Sequence, residues 1–171
     1  MTDPKLLKEE LKNYYNQDAV FYGFNVINDS AALAQTGTGY RTMEVVDAEL
    51  STGYYFELGC GDIIKREPNK MSFVIPQNYR SVFAIVKAVT ESSGDTSKYM
   101  RLMLGYGENG ETLREIGRSA VNQADHRVEM TLLGSYPAIV AKDDNSQHKI
   151  IVQTYGNQQY NSINILIGVV L

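Results

Sequence analysis

NSINILIGVVL, residues 161–171, is the stretch whose reading decides the fold. Read as an extended strand, it places Ile163, Ile165, Ile167, Val169 and Leu171 on one face, all of them aliphatic. Ser162, Asn164, Leu166, Gly168 and Val170 fall on the other face, which turns from polar to apolar along the strand. Successive side chains of a β-strand point to opposite faces. The pattern therefore predicts a strand that is half-buried at its start and covered on both sides at its end. A chain end frays in solvent unless something holds it down, and this one is too apolar to be left in water. Its expected cover is a second sheet, a neighbouring subunit, or both.

Upstream, strand-like runs recur between polar or glycine-rich connections. They fall at 20–27, 42–50, 54–58, 71–76, 81–89, 98–104, 112–116, 126–134 and 149–155. SVFAIVKAV (81–89) is apolar on both faces, as a central strand would be. About ten short strands with regular turn signals and no alternation with helices predict an all-β, antiparallel sandwich. Long strands joined by long loops favour a jelly roll. At the other end, Asp3 and Pro4 suit the cap and first position of a short helix. Leu7, Leu11 and Tyr14 would form its apolar stripe, ending near Asn16. The expected organisation is a helix or anchor over 1–18 and a β-sandwich over 19–171.

Composition narrows the function. The 171 residues carry a net charge of −4, and their Lys and Arg are scattered rather than clustered. That argues against a nucleic-acid partner, which calls for a basic stripe. Nor does any apolar run reach the roughly 20 residues of a membrane helix, so no membrane insertion is expected. The opening MTDPKLLKEELK lacks the apolar core of a signal peptide, which predicts synthesis in the cytoplasm.

The motifs with chemical potential are better explained by turns. GYGENG (105–110) spells the glycine pattern of a dinucleotide loop. The residues after it, ETLREIG, are too short for the helix such a loop must open. Asn109-Gly110 between two strand-like runs is instead a hairpin signal. The two histidines, His126 and His148, have no second ligand at metal spacing. No G-x-S-x-G elbow marks a serine nucleophile. Asp143, Asp144 and Asn145 lack the spacing of a calcium loop, and the lone Cys60 suits a small buried hydrophobe. The expectation is a non-enzyme with no catalytic residue, metal or cofactor. A hydrolase on the same sandwich stays open if Asp125, His126 or His148 meets a serine in a deep pocket.

Twelve Tyr against no Trp is the compositional skew. Tyrosine buries apolar area while keeping a polar tip, which suits interfaces and sugar stacking. Tyr155 and Tyr160, with the loop residues Asp95, Asp143 and Asp144, are the expected partner-binding set. The stretches Glu91–Lys98 and Lys142–His148 would be the loops that present it.

The helix at Asp3–Asn16, the ladder of strands and the ending INILIGVVL together resemble jelly-roll virion proteins of phages and viruses, namely head fibres, receptor-binding tips and decoration proteins. The ending, Gly168 followed by aliphatics, is also similar to the last strand of trimeric jelly rolls of the tumour-necrosis-factor type. In that family the last strand lies near the threefold axis. The resemblance implies a homo-oligomer, most simply a trimer, that contacts itself through Ile163, Ile165, Ile167, Val169 and Leu171. Other virion proteins or a host receptor or glycan would be its further partners. It implies a structural or attachment role in a virion, with a cytoplasmic protein as the alternative location and a carbohydrate-binding module as the alternative function.

Overall fold

Alternating strands with one apolar face each can bury those faces only against a second sheet, and that is the arrangement the chain adopts. The computed structural model describes residues 19–50, 54–59, 61, 63–76, 79–94, 98–121, 127–137 and 146–171. In chain order the strands are β1 (Ala19–Ile27), β2 (Ala34–Gln35), β3 (Tyr40–Thr42), β4 (Tyr54–Gly59), β5 (Lys65–Arg66) and β6 (Ser72–Ile75). They continue with β7 (Ser81–Gly94), β8 (Lys98–Tyr106), β9 (Thr112–Val121), β10 (Glu129–Pro137), β11 (His148–Tyr155) and β12 (Gln158–Val170). The helix expected over Asp3–Asn16 lies outside the described residues.

These strands form two six-stranded antiparallel sheets. Sheet A runs β10-β7-β12-β1-β4, with β2 also on β12. Sheet B runs β5-β6-β11-β8-β9, with β3 also on β11. Along β6 to β12, β8 and β9 form a hairpin in sheet B, and every other step crosses between sheets. Four strands of each sheet nested in this way make a jelly roll. The hairpin turn is the GYGENG segment. Gly107, Asn109 and Gly110 all take positive φ, and the Gly110 amide donates to the Gly107 carbonyl at 3.2 Å.

The terminal strand is central, as its pattern predicts. β12 pairs with β1 from Val26↔Ile163 to Ala19↔Val170, and with β7 from Ser162↔Val89 to Val170↔Ser81. Its odd-numbered residues enter the core beside Phe24 and Val26 of β1 and Val82, Ala84 and Val86 of β7. Phe73, Met100, Leu102, Ile150 and Val152 meet them from sheet B. Each fully buried aliphatic or aromatic side chain there contributes about 1.5–3 kcal/mol of transfer free energy.

Three strand expectations need correction. The run 42–50 is not a strand, because β3 stops at Thr42 and a turn occupies 47–50. Asp47 anchors that turn by accepting from the Asn69 amide at 2.8 Å and from Arg66 at 2.9 Å. Met43 and Val45, two residues apart, are buried from a loop, which imitates strand alternation, and Leu50 is buried from the turn that follows. Residues 91–94, expected as loop, belong to β7, and 118–121, expected as a connection, belong to β9.

Candidate functional site: an uncovered apolar sheet face

Because odd-numbered β12 residues face the core, the even-numbered ones face outward from sheet A, and the neighbouring strands follow the same register. Leu133 of β10, Ile85 of β7, Leu166 of β12 and Gly23 of β1 stand in one cross-strand row. Their side chains are open to solvent: Leu133 is 67% exposed, Leu166 42% and Ile85 38%. The next row brings Phe83 of β7, Gly168 of β12 and Phe21 of β1 side by side. Phe21 and Phe83 meet edge to face, with ring centroids 6.0 Å apart across the glycine. A Cβ at Gly168 would lie 2.2 Å from the Phe83 ring, so this close aromatic approach requires glycine.

The face is divided along its strands. In the row on the other side of Leu166 stand Thr131, Lys87, Asn164 and Asn25. Near it, Lys87 and Glu129 pair at 2.6 Å while both remain more than half exposed. Between the polar and apolar rows a depression of about 280 Å³ opens over Gly23, with Asn25, Gly59, Ile85, Lys87 and Leu166 among its walls. A contiguous apolar area rimmed by polar residues is the usual mark of an interaction surface.

The residues singled out from sequence divide differently. Ile163, Ile165, Ile167 and Val169 are 0–1% exposed and belong to the core of one chain. Their side chains are enclosed between the two sheets, and the side of β12 open to solvent is the opposite one. Leu171 is partly buried against that core. Tyr160 is likewise core, at 0% exposure, with its hydroxyl 2.7 Å from Thr154 Oγ1 across the sandwich. Register shifts between Gln158 and Ser162 reverse the facing of β12 there, so an even-numbered residue points inward. Burial pushes the Tyr160 phenol up to about 12, against the opposing Thr154 hydrogen bond and Arg41 charge. Tyr155 does reach the surface, at 40% exposure. Asp95, Asp143 and Asp144 lie outside the described residues, as do Cys60, Asp125 and His126. Phe21, Phe83, Ile85 and Leu133, the residues that build the uncovered face, were not singled out from sequence. The signal for Phe83 and Ile85 was the two-sided apolarity of 81–89, which reads equally well as a strand buried on both sides.

His148 does meet a serine. Its Nδ1 lies 2.7 Å from the Tyr79 hydroxyl and its Nε2 lies 3.1 Å from Ser146 Oγ. Tyr79 and Ser146 are both buried, and burial raises the Tyr79 phenol to about 12, with Tyr136 adding to it. These contacts brace the start of β11. Among the described residues, no three His, Cys, Asp or Glu side chains are grouped to hold a metal ion.

No protein-family model matches the sequence, and no curated protein matches it significantly. Solved structures do. The Eiger TNF from S. frugiperda aligns with a TM-score of 0.51 over 89% of this chain and 93% of its own, at 6% identity. The globular domain of zebrafish complement 1qA protein gives 0.49 over 89% and 96%, at 9% identity. The PRD1 vertex protein P5 gives 0.42 over 88% and 96%, at 13% identity. At such identities the likeness concerns fold, and the Eiger alignment shows that this chain shares the jelly roll of a TNF. The resemblance first carried by the last strand thus extends to the whole sandwich.

Proposed function

We propose that the protein is a non-enzymatic β-sandwich that assembles with copies of itself, most simply as a trimer, and serves as a structural or attachment part of a phage or viral particle. The observation that carries the assembly is the uncovered row Leu133–Ile85–Leu166 with the Phe21–Phe83 pair beside it. Hydration of such a face costs free energy that a partner surface would recover. A second copy is the occupant that best fits. Leu133 protrudes at the β10 edge, whereas the depression over Gly23 lies toward β1 and β4. A projection and a hollow at opposite sides of one face suit a head-to-tail ring of identical subunits. The TNF-like resemblance favours three of them. The virion setting rests on the resemblance to phage and viral jelly rolls, and such a part would be made in the host cytoplasm before incorporation.

Multi-angle light scattering on the purified chain tests the assembly. The expected mass at micromolar concentration is three times that of the chain, and Leu166→Asp is expected to give a folded monomer. A wild-type monomer at that concentration would overturn the oligomer. Mass spectrometry of purified particles tests the setting, and absence of the chain from them would remove the virion role.

A further inference from the structure

The outward side of sheet B offers a different surface. Along one cross-strand row, Tyr40 of β3 pairs with Tyr155 of β11, and Tyr99 of β8 closes on Tyr155 from the other side. The ring centroids of Tyr40 and Tyr155 are 5.0 Å apart at 66°, and those of Tyr99 and Tyr155 are 5.6 Å apart at 89°. Two residues further on, Gln153 of β11, Arg101 of β8 and Arg118 of β9 form the next row on the same face. Their planar groups are held in place. Arg101 donates from Nε to Gln153 Oε1 at 2.7 Å, and its guanidinium lies 3.8 Å from the Tyr40 ring centre. Arg118 reaches Glu115 through two hydrogen bonds of 2.7 and 2.9 Å, with Arg101 also 3.7 Å from that carboxylate.

We infer that this face, centred on Tyr155, binds an oligosaccharide. A pyranose ring presents a C–H face and a belt of hydroxyls, so it calls for an exposed aromatic edge or face next to planar hydrogen-bonding groups. Here the aromatic row and the guanidinium–amide row lie about 7 Å apart, two residues along the strands. Arg118 stands two strands over from Tyr155 as well as one row along, roughly 12 Å in all, so an oligosaccharide of several units that rests on Tyr155 reaches Arg118 and Glu115. The three rings brace each other and the arginines are already oriented, so little side-chain freedom remains to be lost on binding. A protein partner is a weaker fit, because hydrogen-bonding groups stand next to Tyr155 while the exposed aliphatic Leu113 lies three rows away along β9. The inference supplies a ligand class for the attachment reading and rests on that reading for its setting. Its chemistry lies wholly on the other sheet from the proposed subunit contact.

A glycan array of neutral and uronate-containing oligosaccharides, followed by calorimetry with the best binder, tests it. Wild type is expected to bind, Tyr155→Ala to lose at least tenfold in affinity, and Arg118→Ala to lose severalfold. Tyr155→Phe should retain most of the binding. Circular dichroism checks that each variant is folded. Should Tyr155→Ala not fold, the Arg118→Ala result decides, because that side chain is half exposed. Binding to no array glycan, or binding unchanged in the folded variants, would overturn the site. Leu166→Asp separates the two proposals: it should leave per-chain glycan binding intact while changing the mass.

Discussion

The two sheets meet the same demand on their inner faces and different ones on their outer faces. Inside, β12 offers Ile163, Ile165 and Ile167, and β11 offers Ile150 and Val152, all fully or almost fully buried. Outside, sheet A carries Leu133, Ile85, Leu166 and two phenylalanines, whereas sheet B carries tyrosines, arginines, Gln153 and an ion pair, with Leu113 exposed at the start of β9. The core constrains every second residue of each strand and leaves the alternate positions free. Those free positions therefore hold the functional information, and on this molecule they make one side richer in apolar groups and the other richer in hydrogen-bonding groups.

The largest test of that division compares neighbours on β12. Val169→Asp would bury an unpaired charge in the core and is expected to unfold the chain. Ile165→Ala should cost about 2–5 kcal/mol in urea titration. Leu166→Ala, one residue away but facing outward, should change the stability of the monomer by about 0.5 kcal/mol or less while weakening self-association. Equal losses for Ile165 and Leu166 would break the contrast between inner and outer faces.

Gly168→Ala comes next. The added methyl would push the Phe83 ring aside, at a cost of about 1–3 kcal/mol. It should also weaken self-association, because it reshapes the apolar face. A stable variant with unchanged assembly would show that the packed Phe21–Phe83 pair is incidental.

Titration sharpens the comparison between the buried and exposed tyrosines. Tyr79 and Tyr160 are raised by burial to about 12, above the ordinary phenol value of 10. Their neutral forms favour the folded state, so the stability they contribute is complete below pH 10 and is lost as pH rises through about 12. Phenolate absorbance should show a late class that ionises together with unfolding. Tyr160→Phe should remove part of that alkaline dependence, and an unchanged profile would contradict burial of this phenol as its cause.

The ion pairs give the smallest effects. Burial alone would raise the Glu67 carboxyl, but the hydrogen bond from Lys149 and the Lys149 and Lys70 charges hold it below its ordinary 4.5. Its contribution is therefore present above pH 4.5 and fades as pH falls through the lowered value. Lys149→Met should flatten this acid limb by about 1 kcal/mol or less. Lys87→Ala on sheet A should leave the melting curve where it is, because both partners in that pair are well solvated.

Much of the fold was legible in the chain's own pattern. The alternation in 161–171 identified a central strand and its aliphatic side, and Asn109-Gly110 marked the hairpin against the dinucleotide reading. The loop at 42–50 was not legible, because burying Met43 and Val45 two residues apart produces the period of a strand without its ladder. Tyr160 was misplaced because a bulge reverses strand facing without leaving a mark in composition.

For NSINILIGVVL, the sequence by itself determined that one side of the strand is wholly aliphatic and that the other becomes apolar toward Val170. A period of two requires that much, whatever the surroundings. Only the tertiary structure decided which cover each side receives. Sheet B takes the aliphatic side, since Phe73, Leu102 and Val152 stand opposite it. Among the described residues nothing is stacked on the side with Leu166, because the two layers of a sandwich cover only one face of each sheet.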